Sequence, residues 1–204
     1  MLKYLLIILI PSTAFAGQSL LDWLKSQPAV PEDTTTKFDR SLWDVWNDVD
    51  KDCQDTRVEV LIRESKASPG FDASNKCKVI QGQWTSWYSL TIVTDPKSLD
   101  VDHIVPLKEA HESGAAKWSK EQKSLFANDL TKKRPQLRAV TASENRSKGA
   151  KEPHEWLPRE NACAYVEDWT WIKHRWKLNF DDVEKSFLIK TLEICKNTKK
   201  ERAK

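Results

Sequence analysis

An aspartate and a histidine stand side by side as Asp102 and His103, in the run Val101-Asp102-His103-Ile104-Val105-Pro106-Leu107. A carboxylate is a hard oxygen ligand for a divalent cation, and an imidazole with an ordinary pKa of about 6.5 can take a proton from water near neutral pH. The pair therefore suits metal-assisted hydrolysis. A regular strand points neighbouring side chains to opposite faces, so joint action requires the strand to bend or end here, and Pro106 is placed for that. Alone, the dipeptide is weak evidence, and a helix cap followed by a core histidine is the simpler account of it. Downstream, Asn128-Asp129-Leu130 and Ser143-Glu144-Asn145-Arg146-Ser147-Lys148-Gly149 add amides, a guanidinium and an ammonium suited to metal and phosphate oxygens.

The elements that must position these groups follow from pattern and caps. Residues 99–105 read as a strand, and Pro106 suits the first position of a helix running through Leu107, Ala110 and His111. Ser119-x-x-Gln122 marks a helix start, 136–140 a strand, and Thr141-x-x-Glu144 another helix start that puts Asn145 in a first turn. Ahead of them, 19–26 has a short helical pattern, and the Pro- and Thr-rich stretch 27–37 reads as a linker. A helical stretch begins at Phe38 with Leu42, Val45, Trp46 and Val49, and a helix resumes over 57–65. Residues 77–93 alternate as antiparallel strands with tight turns, and 163–178 and 182–195 are helical. The expected class is α+β: flanking helices, a small antiparallel sheet, and a strand, connection, strand and short helix across 99–149.

These ordered motifs, Asp-His-Ile-Val-Pro-Leu, Asn-Asp-Leu and Asn-Arg-Ser-Lys-Gly, resemble the HNH (ββα-metal) endonucleases, most of all their secreted bacterial branch. The likeness extends over about residues 38–195 and includes Asp-Thr-Arg-Val-Glu-Val-Leu at 55–61, Trp156-Leu157-Pro158 and Cys163-Ala164-Tyr165-Val166. The resemblance implies a ββα-metal core in which Asp102 and Asn145 hold one Mg²⁺, Mn²⁺ or similar ion. It makes His103 the general base, Asn128 the residue that orients the histidine loop, and cleavage one that leaves 5′-phosphate ends on DNA, with RNA a second candidate. Arg146, as a bidentate fork, and Lys148, as a point charge, are candidates for substrate phosphates. Relatives often carry an acid after the Ser-Lys-Gly step; Ala150 stands here and removes that extra ligand.

Composition agrees with an exported globular protein. The 204 residues carry 33 Lys and Arg against 30 Asp and Glu, with 39% hydrophobic residues and a mean hydropathy of −0.63, which excludes a membrane protein and a disordered chain. Lys3, the apolar run 5–10 and Ala14-Phe15-Ala16 read as a signal peptide over residues 1–16, too short to span a bilayer. This leaves an N-terminal segment and linker at 17–37 and a nuclease domain at 38–204, outside the cell or in a periplasm. In an oxidising compartment Cys53, Cys77, Cys163 and Cys195 favour disulfides; local pairing gives Cys53–Cys77 and Cys163–Cys195, each adding roughly 3 kcal/mol. No cysteine spacing suits zinc.

Residues 117–151 hold ten Lys or Arg against three acids, which favours a polyanion-binding surface over a merely solvated face. Asp48-x-Asp50-x-Asp52 with Glu59 imitates a calcium loop but has Cys53 where such a loop needs glycine, so an acidic turn is the simpler account. Arg57 and Glu64 can pair or buttress the site. His111, His154 and His174 read as packing or surface residues, and most of the ten tryptophans as core, with Trp84 and Trp87 candidates for exposure. Two rivals share these residues: a nuclease toxin aimed at neighbouring cells, and a secreted nucleic-acid-binding protein without catalysis.

Overall fold

The computed structural model describes residues 19–73 and 77–202; the expected signal peptide lies outside the described residues. The helices are α1 (Leu20–Ser26), α2 (Thr56–Glu64), α3 (Leu107–Glu112), α4 (Lys120–Ala127), α5 (Ala142–Lys148), α6 (Ala162–Trp176) and α7 (Asp182–Arg202). The strands are β1 (Gly70–Phe71), β2 (Val79–Gln81), β3 (Trp84–Thr85), β4 (Ile92–Val93), β5 (Leu99–His103) and β6 (Leu137–Thr141), with 3-10 turns at Arg40–Trp43, Pro96–Ser98 and Ala115–Lys117. The class is α+β, and the strands form three two-stranded antiparallel sheets, β1–β2, β3–β4 and β5–β6.

The antiparallel β5–β6 pair contributes to two apolar cores. Leu99 and Val101 of β5 and Leu137 and Ala139 of β6 pack with Val60 and Leu61 of α2 and with the fully buried Trp84. The alternation of a strand then sends Asp100 and Asp102 to the other face, where α5 lies. The second, larger core joins α1, α3, α4, α6 and α7 through Leu24, Ala110, Phe126, Val166, Trp169 and Leu188. Arg57 and Glu64 buttress this strand pair: Arg57 Nη2 donates to the Leu99 carbonyl at 3.0 Å, and Glu64 Oε2 accepts from Ala139 N at 2.9 Å. The disulfides are Cys53–Cys77 and Cys163–Cys195, the latter joining α6 to α7.

Several boundaries differ from expectation. The helix expected from Phe38 is only the turn Arg40–Trp43; beyond it Asp44, Trp46, Lys51 and Cys53 have positive φ, and Asn47 is drawn away to Asn128 and Ser124. The stretch 27–37 is docked rather than a free linker: Val30 N donates to Phe180 O and Asp33 N to Glu112 O, both at 2.8 Å. Trp84 is buried, donating Nε1–H to Leu61 O at 2.8 Å, and Trp87 packs beneath the Arg138 guanidinium at 4.6 Å. The basic run 117–151 is partly consumed inside the fold: Lys123 and Lys148 are buried, and Arg134 and Arg138 pair with Asp168. Its exposed remainder includes Lys117, Lys120, Lys132, Lys133 and Arg146.

Candidate active site

β5 ends at His103, and α5 starts where β6 stops, so strand, strand and helix meet at one edge. Thr141 caps α5 by accepting from Glu144 N, and Gly149 ends it at φ +57°, ψ −130°, a conformation that favours glycine. A cavity of about 390 Å³ opens there, bordered by Asp102, His103, Asn145, Gly149, Ala150 and Arg40 among others. The strand thus ends at the position where Asp102 and His103, though on opposite faces, both reach one space.

His103 is 5% exposed, and its ring stacks on Trp46 with centroids 5.8 Å apart. Nε2 lies 2.9 Å from the Ala127 carbonyl oxygen; a carbonyl only accepts, so Nε2 carries the proton and Nδ1 keeps the lone pair. Burial pushes the imidazole down to about 4, against weaker upward effects of the Ala127 bond and Asp102, so the ring is neutral at pH 7. Asn128, the residue after that carbonyl, does not border the cavity. Its Nδ2 donates to Asp44 O and Ser124 O, both at 2.8 Å, and its Oδ1 accepts from Asn47 N at 3.0 Å. It fastens the loop carrying Trp46 onto α4, and so acts on His103 through the stacked ring and the neighbouring carbonyl.

Asp102 is 7% exposed and accepts through Oδ2 from the Tyr88 hydroxyl at 2.6 Å, with Lys148 Nζ 3.0 Å away. Lys148 is fully buried and also donates to the His103 carbonyl at 2.8 Å. That placement does not fit the expected contact with a substrate phosphate: the ammonium ties α5 to the end of β5 and compensates Asp102. Asn145 Nδ2 donates to Asp100 Oδ2 at 2.9 Å, which orients the amide and leaves Oδ1 as its acceptor oxygen. Arg146 is exposed and lies outside the cavity lining. A carboxylate and an amide oxygen on one cavity wall are a donor set suited to Mg²⁺ or Mn²⁺.

Four further residues belong to this site without standing in any of its sequence motifs: Arg40, Tyr88, Asp100 and Trp46. Arg40 borders the cavity from the 3-10 turn and nothing in its local pattern marks it, whereas Asp100, two residues before Asp102 on the same strand face, is findable by alternation. His111 faces away, bonded through Nε2 to Thr36 O at 2.9 Å and packed edge-on against Phe38; His154 pairs with Glu152 and His174 packs on Trp23.

The chain matches the family described as GmrSD restriction endonucleases, C-terminal domain, over residues 54–191, a span that contains β5, β6, α5 and every cavity residue from Val101 to Ala150. It belongs to that family. The HNH endonuclease resemblance of its motifs therefore holds at the level of the family, with no bacterial restriction implied. The chain is also similar to an uncharacterized secreted protein of Arthroderma benhamiae, 36% identical over 188 residues that cover 91% of this chain and 87% of the relative. No solved structure matches it. Among the described residues of this GmrSD C-terminal family member, no helix is long and apolar enough to cross a membrane.

Proposed function

We propose that this protein is an exported endonuclease that hydrolyses DNA phosphodiester bonds with low sequence specificity, on a ββα-metal core formed by β5, β6 and α5. The carrying observation is the convergence of Asp102, His103 and Asn145 on one cavity, with Nδ1 of a neutral His103 unprotonated. Export is supported by the name of the Arthroderma benhamiae relative and by two disulfides.

In this reading His103 Nδ1 takes a proton from water as its oxygen bonds to phosphorus, the bond from phosphorus to the 3′ oxygen breaks, and that oxygen takes a proton from a second water, leaving a 5′-phosphate and a 3′-hydroxyl. Asp102 and Asn145 would hold a divalent cation, which supplies positive charge beside the phosphate oxygens and the departing 3′ oxygen. Tyr88 and Lys148 hold the Asp102 carboxylate in place, as partners of a metal ligand commonly do. Arg40, exposed at the cavity mouth, places a guanidinium where a phosphate enters.

The direct test is nicking of supercoiled plasmid by the oxidised protein with Mg²⁺ and with EDTA, then the same comparison on RNA and single strands. Cleavage is expected with Mg²⁺ and its complete loss with EDTA. Retardation of the plasmid on a gel without cleavage under any metal would make the protein a binder. Arg40→Ala is expected to lower single-turnover nicking by about 10²-fold, the usual scale for one charge-stabilising donor, with Arg40→Lys recovering part of it. An Arg40→Ala rate within twofold of wild type removes Arg40 from the site.

A further inference from the structure

Away from the cavity, three carboxylates from three separate segments bring one oxygen each within 4.8 Å of one another: Glu32 of the docked stretch 27–37, Glu109 of α3 and Glu152 of the turn after α5. None of them borders the cavity of Asp102 and His103. Glu109 and Glu152 are buried, and Glu32 is half-buried. Glu109 Oε1 accepts from Lys173 Nζ at 2.7 Å and from Ser113 Oγ at 2.6 Å. The same ammonium is shared with Glu184 at 2.6 Å.

Glu152 is the member the protein leaves unsatisfied. It is 6% exposed; Oε2 lies 2.9 Å from His154 Nδ1, while Oε1 is buried with no hydrogen-bond partner. A purely structural polar network satisfies its oxygens, because an unpaired buried carboxylate oxygen is costly. Burial and the neighbouring acids Glu109, Glu112 and Asp181 raise the Glu32 carboxyl to about 7. Burial, Glu109, Glu184 and Asp181 raise Glu152 to about 9 in spite of Lys173. At neutral pH Glu152 therefore keeps its proton and Glu32 keeps it in part, and a bound cation is the alternative that would take the place of those protons. The cluster's donors are all oxygen, the set a hard cation takes, and Ca²⁺ tolerates an irregular cage completed by water better than Mg²⁺ does.

We propose that Glu32, Glu109 and Glu152 form a second, structural cation site that takes Ca²⁺ and pins the stretch 27–37 to α3 and to the turn after α5. The site is separate from Asp102 and Asn145 and does not depend on their chemistry. Its consequence for the cavity is mechanical: the pinned stretch runs directly into Phe38 and Arg40, both on the cavity wall.

The test is thermal unfolding of the oxidised, EDTA-stripped protein with added CaCl₂, in wild type, Asn145→Ala, Glu152→Gln and Glu32→Gln. Saturation at about 100-fold over Kd is expected to raise Tm by about 5–10 °C in wild type and equally in Asn145→Ala, which lacks a candidate catalytic ligand. The rise is expected to be largely lost in both glutamine variants, whose cation-free Tm should equal or exceed that of wild type because a buried like charge is gone. An equal rise in Glu152→Gln places the ion elsewhere and overturns the proposal. No rise in wild type overturns it too, leaving protons as the neutralising species. The pH dependence adds a second readout. Folded carboxyls raised above their unfolded value of 4.5 bind more protons than the unfolded chain, so in EDTA the Tm falls as pH climbs from 5 to 8. Saturating Ca²⁺ is expected to flatten that fall, and a fall unchanged by Ca²⁺ counts against the site.

Discussion

His103→Ala is expected to lower the rate of plasmid nicking by about 10²–10⁴-fold while leaving DNA affinity within a few-fold. Three features of the structure set that size. The ring is neutral because burial disfavours its charged form, so nearly every molecule at pH 7 holds the base in its active state. The tautomer is dictated by the Ala127 carbonyl, which leaves the lone pair on Nδ1. The ring is stacked on Trp46, and Asn128 anchors that loop to α4 by two hydrogen bonds, so little reorganisation precedes proton transfer. A general base touches the reacting water and not the rest of the duplex, which is why affinity should change little. Loss of a buried ring also opens a gap beside Trp46, so Tm must be measured alongside, and added imidazole should restore part of the rate if the fold is intact. A His103→Ala protein that keeps a tenth of wild-type activity would exclude His103 as the base. Asn128→Ala separates positioning from chemistry: it should lower the rate less than His103→Ala does, and imidazole should not rescue it, because the ring is still present.

The parts of this site that were legible in the sequence are those set locally. Ser119 and Gln122 form the full capping box expected of them, and Thr141 caps α5. The strand, strand and helix order follows from those caps and from period-two alternation, and the local disulfide pairing needs only proximity along the chain. What was illegible is set by distant partners. The apolar spacing at Leu42, Val45, Trp46 and Val49 imitates a helix, yet the side chains of Asn128 and Ser124 on and beside α4 pull Asn47 out of it, and the chain turns through left-handed residues instead. Tyr88 and Arg40 arrive from segments that have no sequence relation to Asp102. Lys148 is a different case, since its inward turn was derivable: three residues after Asn145 on a helix, it shares the face that looks at β5, whereas Arg146 falls about a third of a turn away and looks outward. The Lys-Gly step therefore reads as an anchor for the Asp102 carboxylate.

The largest expected effect on stability comes from Lys173, which no catalytic argument needs. Its Nζ is fully buried and donates to Glu109, Ser113 and Glu184, and it sits 4.8 Å from the Phe180 ring centroid. The carboxylates of Glu109 and Glu184 raise the lysine well above its ordinary value against the opposing effect of burial, so it is charged at every working pH. Glu184 is fixed in turn by the indole Nε1–H of Trp169. Lys173→Met keeps the stem and deletes the charge, leaving two buried carboxylates face to face; breaking a buried pair in this way costs roughly 3–5 kcal/mol, or about 6–20 °C in Tm for a chain of this length. The sign with pH follows from linkage. Without the ammonium, Glu109 and Glu184 hold protons in the folded state that the unfolded chain has already released, so the variant should lose most stability at pH 8 and least near pH 5. Replacing both acids as well, in Lys173→Met with Glu109→Gln and Glu184→Gln, should recover much of the loss, because the cost lies in the unpaired charges and not in the missing contacts. A single Lys173→Met variant that melts within 2 °C of wild type at pH 8 would mean that Glu109 and Glu184 are already neutral in the native protein.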